Sequence, residues 1–335
     1  MSSEIRRREF LRQVGAGVAG ATLTPVVLKA EAGGPATRPS VGTIRDLPKR
    51  KLGRIGIEIP PLSLGTAPMG HAFYQAEPFE EVVNAAIDAG VRYLDTAAIY
   101  DVAEQRLAPI LAKRRKEVFL VTKAWDKTRD GALASLERSL RAMGVDRVDL
   151  CHLHNVGQYT REEAIGKGGL LEGVLEAKKR GWIKYVGCSG HLQVDRFVPV
   201  IDTGEIDLVM VAMNFVDRHT YKFEEKVLPT ARKHNCAIVC MKVYGGVTGS
   251  WDGYKKRRPG RLAQDDRLRQ EAVDYALSIP GVSTCVVGMK SLEELRLTIE
   301  AFRNHRVLKG SRREALLAKG AKMAKEWGPH FGPAT

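Results

Sequence analysis

Eight times between residues 62 and 302, a short apolar run is followed by a stretch whose apolar residues recur at helical spacing among charges. The runs cover 62–66, 92–96, 118–123, 148–154, 183–189, 208–213, 237–243 and 284–289. The helical stretches cover 79–89, 104–113, 131–143, 170–180, 194–201, 223–234, 268–278 and 292–302. The runs are continuous, not alternating, which is the pattern of strands covered on both faces. Strands that alternate with helices over short links make a parallel sheet. Eight such units predict an α/β fold of the closed (β/α)8 type, a TIM barrel, whose usual size is about 250 residues. An open doubly wound sheet is the competing topology. It needs a glycine-rich turn after its first strand, and SLGTAPMG over 63–70 does not supply one. Ahead of the first strand, RKLGRIGIEIPP over 50–61 predicts a small hairpin. The barrel is assigned to 50–308, and 309–335 reads as one more basic helix and a tail.

A closed parallel barrel brings the C-terminal ends of its strands to one face, and active sites of that fold lie there. Three of the runs deliver an ionisable group at that end. LDTAAIYD, 94–101, reaches Asp95 and carries Tyr100 just beyond it; VFLVTK ends on Lys123; VDLCHLH ends on His154. These residue types suit proton transfer. A tyrosine has an ordinary pKa of about 10, too high for easy donation near neutrality. A nearby ammonium favours the phenolate, and Lys123 can provide it. Asp95 can hold that lysine in place and keep it charged. His154 can hydrogen-bond a substrate oxygen. Carbonyl reduction needs such a proton donor beside a hydride donor.

The four residues in this order resemble the catalytic tetrad of the aldo-keto reductases, and LDTAAIY resembles that family's D-T-A-x-x-Y segment. The resemblance spans almost the whole chain after the N-terminal segment. It implies the barrel fold and reversible, nicotinamide-dependent reduction of an aldehyde or ketone. RGWIKYVGCSG, 180–190, resembles the G-K-I-R-x-I-G-x-S run on the fifth strand. There Ser189 takes the place of the serine that binds the nicotinamide amide. Several positions depart from the family. Gly190 stands where an asparagine is usual, Met210 where a glutamine often completes the amide clamp, and Met241 where an aromatic ring commonly stacks on the nicotinamide. Asn155 replaces a common aromatic after the histidine. Near the C-terminus Lys290, Ser291 and Arg296 match the family's K-S-x-x-x-x-R spacing, whose members hold the adenosine 2′-phosphate. Arginine offers a planar donor fork and lysine a point charge to such a group, and serine at a helix start is also a common cap. The match implies NADP(H), with NAD(H) still open.

The N-terminus reads as an address. Arg7-Arg8-Glu9-Phe10-Leu11-Arg12 resembles the twin-arginine export motif, a mildly apolar stretch follows over 14–28, and Ala30-Glu31-Ala32 offers a small-residue cleavage site. Residues 1–32 are therefore expected to be a signal peptide recognised by the twin-arginine export machinery, with 33–49 as linker and a periplasmic destination. The apolar stretch is too short and glycine-rich for a stable membrane span. Gly15, Gly17 and Gly20 fit G-x-G-x-x-G, but arginines precede them where a dinucleotide fingerprint requires a strand.

Composition narrows the partners. The formal net charge of +14 favours anionic ligands, a phosphorylated cofactor among them. The basic cluster YKKRRPGR, 254–261, is short, lies in a loop and lacks aromatic interleaving, which argues against nucleic acid. Cys151, Cys188, Cys236, Cys240 and Cys285 form no CxxC pair. An odd count without spacing argues against a disulfide framework or zinc site and for buried free thiols. Two other functions use the same barrel. A metal-dependent hydrolase would use His152 and His154 on one strand face with His191 and Asp95, but leaves Tyr100, Lys123 and 290–296 without a role. A cofactor-binding regulatory protein with little turnover is the other, as in the potassium-channel β-subunits that share the fold. No metal is expected. The substrate is a small carbonyl or alcohol, and the sequence carries no signal for its identity or for oligomeric state.

Overall fold

A computed structural model describes residues 40–249, 253 and 255–335. The expected export signal and the first part of its linker lie outside the described residues.

Among the described residues, a short antiparallel hairpin, β1 (Arg50–Lys51) and β2 (Glu58–Ile59), precedes a closed barrel of eight parallel strands. These are β3 (Leu62–Gly65), β4 (Tyr93–Asp95), β5 (Phe119–Ala124), β6 (Val148–Leu153), β7 (Ile183–Gly190), β8 (Leu208–Ala212), β9 (Ala237–Met241) and β10 (Val282–Gly288). They pair in chain order, and β10 pairs with both β9 and β3 to close the ring.

The continuous apolar runs have a simple cause. Side chains alternate across a strand, and here each alternate set enters a different core. Tyr93, Phe119, Val121, Leu150, Leu208, Met210, Ala237 and Val239 point inward. Leu52, Ile55 and Ile59 of the hairpin region join that same inner cluster. The other parity, including Leu94, Leu120, Cys151, Leu153, Val209, Val211, Ile238 and Cys240, packs outward against the helices. Burying a side chain of leucine size contributes about 1.5–3 kcal/mol, so neither face tolerates a polar alternation. All five cysteines are buried free thiols.

The helices are α1 (Ala76–Ala89), α2 (Ala103–Arg114), α3 (Arg129–Met143), α4 (Arg161–Ile165), α5 (Leu170–Lys179), α6 (Phe197–Ile201), α7 (Arg218–Tyr221), α8 (Phe223–Lys226), α9 (Leu228–Lys233), α10 (Asp266–Leu277), α11 (Leu292–Arg303) and α12 (Gly310–Trp327). Side-chain caps start several of them. Thr128 accepts from Gly131 N–H, Asp265 from Leu268 N–H and Ser291 from Glu294 N–H, each worth roughly 1 kcal/mol.

The structure departs from the expected elements in three places. The helix expected over 223–234 is divided into α8 and α9 after the separate turn α7. Lys222 enters the left-handed region at φ 56°, and a proline stands in the first turn of α9. The stretch 194–201 begins as a 3-10 turn, Val194–Arg196, before α6. Helix α4 was not expected, although its sequence signal is present: Thr160 and Glu163 form a reciprocal capping box. No described helix is long and apolar enough to cross a membrane.

Candidate active site

The inner parity carries upward to the C-terminal rim. Two residues beyond inward-facing Tyr93 is Asp95. Beyond Val121 is Lys123, beyond Leu150 are His152 and then His154, and beyond Val239 is Met241. The strand periodicity that fills the barrel therefore also aims these groups into its upper end. Gly187 leaves room for one of them, since a Cβ there would lie 2.4 Å from His152 Nδ1. The chain turns away from the rim through left-handed residues, Asp101 at φ 54°, Asn155 at 56° and Lys242 at 57°. Such conformations cost energy in non-glycine residues and cluster at functional sites.

The ion pair at the centre is dry. Lys123 Nζ donates to Asp95 Oδ2 at 2.6 Å and to the Thr96 carbonyl at 2.7 Å, with the lysine side chain 1% and the aspartate 4% exposed. The ammonium lies 4.7 Å from the Tyr100 ring centroid. Tyr100 is half-buried in the turn after β4, and its ring meets that of His154 edge-on at 6.0 Å. Trp125 closes the other side of His154, with centroids 5.2 Å apart. The four residues expected to act together are thus brought together.

Their electrostatics follow from burial and the lysine. Burial pushes the Lys123 ammonium down, but the attraction of Asp95 and Tyr100 outweighs it, and the lysine titrates above its ordinary value. Burial raises Asp95, with Lys123 opposing. With two close acceptors on its ammonium, the pair is read as charged. Burial, with Lys123 adding repulsion, holds His154 well below its ordinary value, so it stands neutral near pH 7. His152 is neutral for the same reasons. The expectation for Tyr100 needs correction. Lys123 and Lys242 do pull its pKa down, but burial is the larger influence, and the phenol sits above its ordinary value.

A cavity is lined by Asp95 and Tyr100, by Met210, Met241 and Lys242, and by Arg269, Lys290 and Glu294. Ser189 is buried on β7, its hydroxyl 3.5 Å from the Leu153 carbonyl, and pairs in register with Met210. Gly190 is crowded: a Cβ there would meet Phe197 at 2.8 Å and Asn155 Oδ1 at 3.0 Å. The asparagine missing at 190 thus has its space taken by Phe197 and by the amide of Asn155, whose buried Oδ1 has no hydrogen-bond partner among the described residues.

The three residues expected to hold a 2′-phosphate fare differently. Lys290 lines the cavity. Ser291 Oγ caps α11, accepting from Glu294 N–H at 3.1 Å. Arg296 is not among the cavity-lining residues. Its fork is held by Glu293 at 2.7 and 2.8 Å and by Glu300 at 3.2 Å. Sequence reasoning missed Trp125, Lys242, Arg269 and Glu294. Trp125 and Lys242 follow strand ends directly, so the rule that found Lys123 could have found them. Arg269 and Glu294 sit in first turns of helices and have no such signal. Among the described residues, no three His, Cys, Asp or Glu side chains are grouped so as to hold a metal.

The profile of the Aldo/keto reductase family matches residues 61–312. This chain belongs to the aldo/keto reductase family. It is an oxidoreductase, and aldo/keto reductases generally use NAD(P)H. The uncharacterized oxidoreductase YqkF of Bacillus subtilis is 25% identical over 295 residues, covering 77% of this chain and 92% of that protein. The D-threo-aldose 1-dehydrogenase of a Pseudomonas species is 27% identical over 255 residues, covering 66% and 72%. Among solved structures, the holo form of an aldo-keto reductase from Bacillus halodurans superposes with a TM-score of 0.65 at 20% identity, over 82% of this chain and 96% of that one. That likeness concerns the fold of this aldo/keto reductase.

Proposed function

We propose that this aldo/keto reductase reversibly reduces a small aldehyde or ketone to an alcohol with NADP(H), NAD(H) also being accepted, and that Tyr100 is the proton donor. The observation that carries this reading is the Lys123 ammonium, fixed 2.6 Å from Asp95 and 4.7 Å from the Tyr100 ring, beside a cavity that Asp95 and Tyr100 line. A dinucleotide fits the residues present: Lys242, Arg269 and Lys290 line the cavity as cations for its phosphates, and Met210 and Met241 line it with Asp95 and Tyr100. When bound, its nicotinamide supplies the hydride. Tyr100 gives its hydroxyl proton to the developing alkoxide, and Lys123 stabilises the phenolate left behind. Asp95 keeps the lysine charged and aimed. Neutral His154 hydrogen-bonds the substrate oxygen. Ser189 and Asn155 offer polar groups near the reacting end, and Met210 and Met241 exclude water. The kinship with an aldose dehydrogenase supports a small carbonyl or alcohol as substrate.

The test is a panel of aldehydes, ketones and sugars with NADPH and NADH, followed by loss of cofactor absorbance. Tyr100→Phe is expected to lower turnover by about 10²–10⁴-fold with cofactor affinity nearly unchanged. Near-normal turnover in that variant removes Tyr100 from the role.

We further propose that Arg7 and Arg8 direct the folded barrel through the twin-arginine route to the periplasm, with cleavage after Ala32. The arginine pair followed by Glu9-Phe10-Leu11 and the Ala30-Glu31-Ala32 site support this. Folding before export avoids assembling a non-local parallel topology outside, which is slow, and buries the thiols before oxidation. Cell fractionation of the native gene beside an Arg7→Lys, Arg8→Lys variant tests it. Full-length cytoplasmic protein in both cases refutes it.

A further inference from the structure

The cavity wall holds an anion of the protein's own beside Lys290. Glu294 stands in the first turn of α11 and lines the cavity. One carboxylate oxygen accepts from the Lys290 backbone N–H at 2.8 Å, and the other lies 3.3 Å from the Lys290 ammonium. The same ammonium donates to the backbone carbonyls of Arg257 and Arg258. An ammonium has three protons; two are donated to these carbonyls, and the Glu294 carboxylate is paired with the charge. The lysine side chain is only 9% exposed, so water competes weakly for them. Arg269, another cation in the cavity lining, is bonded to Asp266 and to the Ala263 carbonyl.

A backbone N–H and an ammonium at the start of a helix are the donors that a phosphate oxygen would take. We propose that Glu294 occupies this phosphate seat and sets coenzyme choice, accepting from a ribose 2′-hydroxyl and opposing a 2′-phosphate. The proposal rests on the reading that the cavity binds a nicotinamide dinucleotide. A 2′-phosphate must displace the carboxylate from Lys290 and then lie against a like charge. A 2′-hydroxyl needs no displacement and can donate to the carboxylate. Arg296, tied to Glu293 and Glu300 outside the cavity lining, does not offset this. The consequence is tolerance for both dinucleotides, with Glu294 as the residue that holds NADPH back.

Binding separates this from catalysis. The full chain is titrated with NADPH and NADH by fluorescence, and with adenosine 2′,5′-bisphosphate and adenosine 5′-monophosphate by calorimetry. The wild type is expected to bind the two dinucleotides within roughly tenfold of each other. Glu294→Gln keeps an acceptor for the Lys290 N–H but removes the charge. It should tighten NADPH and the bisphosphate by about tenfold, as expected for a charge-assisted contact regained, and leave NADH and the monophosphate unchanged or slightly weaker. Glu294→Ala provides the same comparison should the amide variant fail to fold. An unchanged ratio of NADPH to NADH affinity in a folded variant overturns the assignment of Glu294 while leaving the reductase reading intact. A wild type that binds neither dinucleotide overturns both.

Discussion

Replacing Lys123 by methionine removes the one charge that both Asp95 and Tyr100 depend on, and the structure sets the size of the loss. The ammonium is 4.7 Å from the Tyr100 ring centroid. At an effective dielectric of about 20, a unit charge at that distance stabilises a phenolate by about 3.5 kcal/mol. If that support is fully expressed in the transition state, kcat falls by about 10²–10³-fold; partial exposure of Tyr100 places the expectation at the lower end. The fold pays as well, because Asp95 is left buried without its partner, and breaking a buried pair from one side costs about 3–5 kcal/mol. Lys123→Met should therefore lose both rate and stability. Adding Asp95→Asn should return part of the stability but none of the rate. The assay is kcat from pH 6 to 9 on any substrate the panel identifies, with urea denaturation of the two single variants and the double. The ammonium titrates above its ordinary value, so its contribution is fully present below the unfolded pKa of about 10.4 and fades only as pH rises through the folded one. The wild type should show no loss of the pair within that range. A less than threefold change in kcat, or strict additivity of the two substitutions in stability, would falsify the coupling inferred from the geometry.

Three further outcomes follow from single features. Gly187→Ala places a Cβ 2.4 Å from His152 Nδ1, and overpacking of that kind costs about 1–3 kcal/mol; a melting temperature equal to wild type would show that the histidine can move aside. His191 is held down to about 3, by burial first and then by Lys242 and His330. A depressed histidine contributes stability above the unfolded pKa of about 6.5 that is lost as pH falls toward the folded value, at about 1.4 kcal/mol per pH unit. His191→Gln should therefore flatten the acid limb of the stability curve between pH 6 and 4, and parallel curves would contradict the assignment. Arg296→Ala should change NADPH affinity by less than about threefold, the scale of an exposed ion pair; a tenfold loss on titration would place its fork on the cofactor after all.

The barrel was legible because two independent periodicities agreed. Continuous apolar runs meant strands with two covered faces, and the parity of each run fixed which residues faced inward. Tyr93 and Asp95, Val121 and Lys123, Leu150 and His154 share a face because successive side chains alternate, so a strand-end rule singled out Asp95, Lys123 and His154 without knowledge of any contact, with Tyr100 just past the first. What it could not give was the net electrostatics. The charge of Lys123 on Tyr100 was foreseeable. The extent of burial at the same point was not, and burial is the stronger of the two for the phenol.

The residues of 290–296 were less legible because they lie at and within the start of a helix, where spacing fixes a face but not a partner. The interval from Lys290 to Arg296 was read as one constellation. Yet Arg296 is three residues after Glu293 and four before Glu300, so all three share one helix face, where such pairs meet. The observed bonds follow that arithmetic. Lys290 and Glu294 obey the same spacing, but their pair lies at the cavity wall. Charge around the helix start thus divides into an exposed triad that satisfies itself and a half-buried pair at the cavity wall. In the proposed mechanism the tetrad delivers the proton, whereas in the proposed coenzyme selection the Glu294 carboxylate bears on which dinucleotide is admitted. These two properties sit on different kinds of element, and only the first is dictated by the strand pattern that builds the fold.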